Sequence, residues 1–136
     1  MQIGPLAPGH FDAAVALWHQ VGLTRPWNDP AEDLQRAISS PSSTVLAGTH
    51  DDNLTATAMV GDDGHRGWVY YLAVRPDARG SGHSRAMMNA CEKWLAERDV
   101  PKLQVMVRAD NADVRGFYTS LGYRPSDVAV FQRELG

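Results

Sequence analysis

Apolar residues recur at helical spacing in the first quarter of the chain. Six apolar residues of Gly9–Val21 lie near helical spacing, which predicts an amphipathic helix: Phe11, Ala14, Val15, Leu17, Trp18 and Val21. A second helix is predicted over Pro30–Ser39, because proline suits the first helical turn and Asp29 suits the N-cap. The short segment Met1–Pro5 is predicted to be a strand.

The middle of the chain has the pattern of a sheet. Residues Thr44–Thr49 and Leu54–Val60 are predicted strands, joined by a hairpin turn at Asp51-Asp52-Asn53. A third strand, rich in aromatic residues and valine, is predicted over Gly67–Val74. Trp18, Trp68 and Trp94 are predicted to be core residues.

The last part of the chain alternates between helices and strands. We predict a helix over Gly80–Arg98, a strand over Leu103–Val107, a helix over Asn111–Leu121 ended by a left-handed Gly122, and a strand over Val128–Glu134. The order β-α-α-β-β-β-α-β-α-β predicts an α/β fold with one mixed sheet and helices on both faces. The length of 136 residues predicts a single domain over 1–136.

Charge and composition narrow the possible functions. The net charge of −3 argues against generic nucleic-acid binding. Arg75, Arg79, His83 and Arg85 nevertheless lie close together with only Asp77 to oppose them. This local positive charge indicates either a small anionic ligand or an ordinary solvated turn, and charge alone does not decide between them.

The first residues, the length of the apolar runs and the single cysteine bear on the cellular location. The first residues lack the pattern of a signal peptide, and no apolar run approaches 18 residues. Cys91 lies in a helical pattern, where a small buried residue is expected rather than a nucleophile. We therefore expect a cytoplasmic protein with no membrane partner.

The joint between the predicted strand Gly67–Val74 and the following helix contains two glycines and is positively charged. Gly80 and Gly82 permit positive φ and leave room for a phosphate at the helix N-terminus. The joint lacks the lysine of a P-loop. It also lacks the third glycine of a dinucleotide fingerprint, because Arg85 stands in that place. The joint is compatible with a pyrophosphate cradle of another kind, although many ordinary strand-to-helix turns also hold two glycines.

Two motifs resemble the signatures of the GNAT superfamily of N-acetyltransferases. Arg79, Gly82 and Ser84 occupy the fixed positions of its coenzyme motif, [QR]-x-x-G-x-[GA]. Asn111, followed seven residues later by Tyr118 and then by Leu121-Gly122-Tyr123, resembles the second signature. The stretches RPWND and DGHRG also resemble the YpeA-like subgroup of bacterial GNAT proteins.

The resemblance implies a fold and a donor site. The fold would be a mostly antiparallel sheet of six or seven strands, with a splayed parallel pair and about four helices. Acetyl-coenzyme A would lie between the splayed strands, with its pantetheine arm along Leu72, Ala73 and Val74. Its pyrophosphate would be held by Arg79, Gly80, Ser81, Gly82, His83, Ser84 and Arg85.

The resemblance also implies a mechanism. Asn111 would bind the coenzyme arm, and Tyr118 would donate a proton to the departing thiolate. The alternative role for Tyr118 is packing in the core beside Phe117. Three positions depart from the family pattern, namely Ser84, His83 and Val114. Met106 stands where enzymes that acetylate protein N-termini often carry a glutamate.

The acceptor amine is not identified by the sequence. Trp27, Asn28 and Asp29 are candidate acceptor-binding residues, although Asp29 could instead only cap a helix. His65 and Tyr71 are further candidates, and the possible bases are Asp62, Asp63, His65 and Tyr71. The acceptor would be a small amine, an amino acid or a protein lysine. The alternative function is a non-catalytic acyl-coenzyme A sensor. We expect no bound metal ion. A homodimer is a further expectation.

Overall fold

One five-stranded sheet organises the first part of the molecule. The structure is a computed structural model that describes residues 1–136. The chain divides into two compact units, Met1–Met106 and Val107–Gly136. The sheet lies in the first unit and its strands follow chain order: β1 (Gln2–Pro5), β2 (Ser43–His50), β3 (Asn53–Asp62), β4 (Gly67–Val74) and β5 (Leu103–Val105). The first four strands pair antiparallel, and β4 pairs with β5 in parallel.

Three helices belong to the first unit and one to the second. They are α1 (Phe11–Gln20), α2 (Pro30–Ser39) and α3 (His83–Ala96), followed by α4 (Ala112–Ser120). Asp29 caps α2 as predicted, because its Oδ1 accepts the N–H of Glu32 at 3.1 Å. The longest helix, α3, has 14 residues, and no helix meets the length and hydrophobicity of a transmembrane span.

The alternation of side chains gives the sheet two buried faces. Val45 and Ala47 of β2 join the cluster formed with Leu17, Trp18 and Leu34 of α1 and α2. Residues between them in β2 point to the opposite face, which α3 covers. On that face a Cβ atom at Gly67 would collide with the Leu95 side chain, so the close approach of α3 requires glycine there. The predicted placement of helices on both faces is therefore confirmed.

Cys91 lies inside the face covered by α3. Its side chain is fully buried, and burial raises the pKa of its thiol to about 12. The thiol therefore stays protonated at neutral pH, as expected for a packing residue and not for a nucleophile.

The hairpin between β2 and β3 forms where the sequence predicts it. His50 pairs with Asn53, and the two intervening residues have positive φ, 49° at Asp51 and 61° at Asp52. Positive φ at both central positions is typical of the type I′ turn that joins twisted antiparallel strands.

The predicted last strand, Val128–Glu134, is not formed. The sheet has five strands, not six or seven, and residues 124–136 form neither a strand nor a helix. Phe131 is 93% exposed and Val130 is 63% exposed. Alternating apolar residues show only that a segment is compatible with a strand, whereas the strand itself requires a hydrogen-bonded neighbour. The single domain predicted over 1–136 stays a prediction.

Candidate active site

The turn between β4 and α3 holds the two glycines in left-handed conformations. Gly80 has φ 81° and Gly82 has φ 77°. A right-handed helix cannot include such residues, so α3 begins at His83 and not at Gly80 as predicted. Gly82 becomes the N-cap of α3, and it offers no side chain to cap the helix.

Four backbone N–H groups at the start of α3 have no acceptor. The first helical hydrogen bond joins the N–H of Ala86 to the carbonyl of Gly82 at 3.0 Å. The N–H groups of Gly82, His83, Ser84 and Arg85 therefore precede the hydrogen-bonded ladder, and none has a partner. A Cβ atom built at Gly80 or at Gly82 would meet nothing within 4 Å. The donors and the open space together fit a phosphate group.

The charges of the turn are distributed unevenly. Arg75 donates to Asp77 at 2.7 Å, so the one acidic residue of the turn is already paired. Arg79 and Arg85 have no anionic partner. Nδ1 of His83 is closed off from solvent and has no hydrogen-bond partner, so a ligand arriving from solvent does not reach that atom. The field at the turn therefore comes from two arginines and the helix terminus.

Strand β4 pairs with β3 along most of one edge and with β5 along only the first part of the other edge. Its parallel pairing with β5 covers Gly67 to Val69 and ends at Val105. Beyond that point β5 stops, so the stretch 70–74 faces no strand on this edge. Leu72, Ala73 and Val74, the residues predicted to pair with the pantetheine arm, all lie in this unpaired stretch. An extended ligand has room there to add as a strand.

A bulge interrupts β4 within the same stretch. Thr57 pairs with Ala73 and Met59 pairs with Tyr70, so Ala58 lies opposite two residues, Tyr71 and Leu72. Tyr71 takes a φ of 52°, which is uncommon for a residue with a side chain.

The Tyr71 side chain is held against the first two helices. Its ring stacks on Trp18 with centroids 4.0 Å apart, and its hydroxyl donates to Asp33 Oδ2 at 2.8 Å. Partial burial and the hydrogen bond to Asp33 raise the pKa of Tyr71 well above its usual value. Tyr71 is therefore a poor base, because its hydroxyl keeps its proton.

A cleft of about 730 Å³ opens beside Tyr71, a volume typical of small-molecule sites. Its lining comes from separate segments of the first unit: Leu23, Asn28, Asp33, Arg36, Ala37, Ser40, Ser42, Ser43, Met59, Val60, Gly61, Asp62, Asp63, Trp68, Tyr70 and Tyr71. Three carboxylates and three aromatic side chains are among them.

The cleft includes some of the predicted acceptor residues and leaves out others. Asn28 and Tyr71 line it, whereas Trp27, Asp29 and His65 do not. Trp27 is 73% exposed, Asp29 is used as the cap of α2, and the backbone N–H of His65 donates to Asp63 Oδ1 at 2.9 Å. The acceptor role of these three residues stays a prediction.

The three carboxylates that line the cleft differ in the number of hydrogen bonds that they accept. Asp63 accepts the backbone N–H groups of Arg66 and His65 and the indole N–H of Trp68, and these bonds lower its pKa to about 2. Asp63 is therefore unsuitable as a base. Asp62 accepts only the N–H of Gly64, and Asp33 accepts only the hydroxyl of Tyr71. Each of the last two keeps unused acceptor positions.

Sequence reasoning missed Asp33 and misassigned Trp68. Asp33 lies in the first turn of α2, where an acidic residue is expected for the helix dipole alone, and its partner is 38 positions away. Trp68 was predicted to be core, yet it lines the cleft with its N–H on Asp63. Neither placement leaves a local signal in the sequence.

The second unit holds the remaining predicted residues on one helix. Asn111 is the N-cap of α4, and its Oδ1 accepts the N–H of Val114 at 3.1 Å. Tyr118 is partly buried between the rings of Phe117 and Tyr123, at centroid distances of 5.1 and 5.6 Å. Gly122, with φ 91°, ends the helix as predicted: its N–H binds the carbonyl of Thr119 and the N–H of Tyr123 binds that of Tyr118.

Comparison with known proteins places the chain in a family. The sequence profile of the Acetyltransferase (GNAT) family matches residues 13–123. An acetyltransferase of Yersinia pestis (strain Pestoides F) is 38% identical over 135 residues, covering 99% of this chain and 96% of that protein. The chain belongs to the GNAT acetyltransferase family. The family and the acetyltransferase activity predicted from the sequence are therefore confirmed.

Solved structures of GNAT-like fold agree with this assignment. A putative acetyltransferase from Agrobacterium tumefaciens superposes with a TM-score of 0.83 at 15% identity, covering 98% of this chain and 100% of that one. An aminoglycoside antibiotic 6'-N-acetyltransferase from Acinetobacter haemolyticus superposes with a TM-score of 0.79 at 17% identity, covering all of both chains. At these identities the likeness shows the fold alone.

The GNAT signatures coincide with backbone features of the structure. In the first signature Gly82 is the left-handed N-cap of α3. In the second, Asn111 begins α4 and Gly122 ends it. Members of the GNAT family use acetyl-coenzyme A as acyl donor, and the residues of the glycine turn fit its diphosphate. No group of three or more His, Cys, Asp or Glu side chains is arranged to hold a metal ion.

Proposed function

We propose that the protein transfers an acetyl group from acetyl-coenzyme A to a primary amine. The observation that carries the proposal is the glycine turn, where four N–H groups lack an acceptor beside the unpaired edge of β4. The turn would hold the diphosphate and the edge would hold the pantetheine arm. Arg79 and Arg85 add positive charge from either end of the turn.

Tyr118 would supply a proton to the departing thiolate. A thiol has a reference pKa of about 8.5 and a tyrosine of about 10, so the phenol remains protonated at neutral pH and can donate as negative charge develops on sulfur. Asn111 supports this proposal by its position seven residues earlier, which places it on the same face of α4. Its Nδ2 amide group stays available as a donor, because the helix cap uses only Oδ1.

The acceptor would bind in the cleft beside Tyr71. An alkyl amine with a pKa of about 10.4 is only about 0.04% neutral at pH 7, so its deprotonation must be assisted. Asp63 and Tyr71 are poor bases, which leaves Asp33 and Asp62 as cleft carboxylates that could receive the proton, directly or through water. The volume and acidity of the cleft suit a small cationic amine. An amino acid or a protein lysine is the alternative acceptor.

Two measurements on the purified chain test the proposal. Calorimetric titration with coenzyme A should show saturable binding, and release of free thiol from acetyl-coenzyme A should depend on an amine from a panel of small amines, amino acids and lysine peptides. No binding of the coenzyme would refute the proposal. Binding with no thiol release for any amine would instead indicate an acyl-coenzyme A sensor. The cytoplasmic location and a possible homodimer stay predictions from the sequence.

A further inference from the structure

The β4 bulge depends on one residue in an unusual conformation. Tyr71 has a positive φ although it carries a large side chain, and such a conformation persists only where the surroundings hold it. The residues that follow it, Leu72 to Val74, form the edge that has no strand beside it. Whatever holds Tyr71 therefore also sets the direction of that edge.

Three contacts hold Tyr71 in place. Its ring stacks on Trp18 and its hydroxyl donates to Asp33. Its backbone carbonyl accepts the hydroxyl proton of Thr57 at 3.0 Å. The first two contacts fix the side chain, whereas the bond from Thr57 acts on the backbone of the bulge itself.

The direction of the Thr57 hydroxyl is fixed by a second bond. The indole N–H of Trp18 lies 2.8 Å from Thr57 Oγ1, and both side chains are fully buried. An indole nitrogen only donates, so Oγ1 must accept this bond and its own proton remains for the Tyr71 carbonyl. The bulge is thus tied to the core by a directed chain of two hydrogen bonds away from solvent, where such bonds are strong.

We propose that Thr57 is a positioning residue for the acyl donor, which holds the β4 bulge so that Leu72–Val74 present a straight, unpaired edge to the pantetheine arm. This inference rests on the proposed function. Thr57 does not touch the donor and acts through the Tyr71 carbonyl. Without its hydroxyl, the left-handed residue loses its backbone tether and the edge becomes disordered.

Thr57→Val tests the proposal, because valine keeps the shape of the side chain and removes the hydroxyl. The matched control is Thr55→Val on the same strand. Thr55 is also buried, and its hydroxyl donates to a carbonyl at 3.1 Å, but that carbonyl belongs to Gly48 of β2. Thr57→Ser restores the hydroxyl. Each variant is titrated with coenzyme A by calorimetry, and hydrogen exchange is followed for the peptide that contains residues 70–74.

We expect Thr57→Val to bind coenzyme A about tenfold more weakly and to exchange faster in the 70–74 peptide, since a buried bond is lost. Thr57→Ser should bind within about twofold of the wild type, and so should Thr55→Val. Equal weakening by both valine variants would mean general destabilisation and would overturn the proposal. Unchanged binding by Thr57→Val would overturn it while leaving the proposed function intact.

Two further outcomes are informative. If Thr57→Val does not fold, Thr57→Ala takes its place, since it also removes the hydroxyl that donates to the Tyr71 carbonyl. Affinity equal to the wild type in that variant overturns the proposal. If the wild type itself does not bind coenzyme A, the proposed function fails and this inference fails with it.

Discussion

The glycine turn and the cleft beside Tyr71 lie in the same unit and are built in opposite ways. The turn offers backbone N–H groups from consecutive residues, Gly82 to Arg85, and requires small side chains above them. The cleft offers side chains from positions between Leu23 and Tyr71, and its backbone is mostly engaged in helix and sheet. One is a local feature of the chain and the other is a product of the fold.

The difference explains why one region can be recognised in the sequence and the other cannot. A site made of backbone needs glycine at set positions, so different proteins that hold the same coenzyme share a short motif. A site made of side chains can be assembled from many combinations, so no spacing identifies it. Substitutions in the two regions should therefore affect different kinetic constants.

Tyr118→Phe should have the largest effect and should leave both binding regions intact. We expect kcat to fall by about 100-fold or more, because the thiolate then leaves without a proton donor. The dissociation constant of coenzyme A should stay within about twofold in calorimetry. A variant with normal turnover would show that Tyr118 only packs between Phe117 and Tyr123.

Gly82→Val should weaken the donor side alone, by about 10- to 100-fold in the dissociation constant of coenzyme A. Valine tolerates positive φ poorly, and its methyl groups enter the space that a phosphate needs. Gly64→Val is the matched control, because Gly64 has φ 88° and equally open surroundings but lies in the β3–β4 turn. Equal losses of coenzyme affinity in both variants would contradict a specific role for the α3 turn.

Asp33→Asn should affect the acceptor side alone. We expect the KM for a cationic acceptor to rise by about tenfold, since a charged hydrogen bond from the acceptor is replaced by a neutral one. The affinity for coenzyme A should stay unchanged, because the asparagine Oδ1 can still accept the hydroxyl of Tyr71. Asp29→Asn is the control, because asparagine also caps helices well and Asp29 does not line the cleft. An equal rise in KM with Asp29→Asn would return the acceptor role to the residue that the sequence suggested.

Asp63→Asn should have the smallest effect, on stability at different pH values. The folded-state pKa of Asp63 is lowered from 3.8 to about 2, so its carboxylate contributes stability above about pH 3.8 that is lost as the pH falls towards 2. Thermal midpoints of the wild type and the variant should therefore differ slightly at pH 6 and converge near pH 2. A gap that stays constant over this range would show that the charge of Asp63 is not involved.

The elements that were predicted correctly are those with a local cause. β4 has the predicted bounds Gly67–Val74, Asp29 caps α2, and Gly122 ends the helix that carries Tyr118. The predicted strand Val128–Glu134 is not found, because an alternating apolar pattern shows only that a segment is compatible with a strand. The predicted start of α3, Gly80, lies three residues before the observed start at His83. A glycine in the sequence does not reveal which φ it will adopt, because it can adopt both signs.

Within the site, the sequence by itself determined the glycine turn and the order of strand and helix around it, because bare backbone at a helix N-terminus is encoded by adjacent residues. Only the tertiary structure decided that Tyr71 meets Asp33, that Thr57 binds the Tyr71 carbonyl, and that Trp68 lines a cleft. The first two contacts join residues that are 14 and 38 positions apart in the chain. The position of Trp68 depends on which face of β4 is left uncovered. The packing of helices on the sheet fixes both, and no short-range pattern records it.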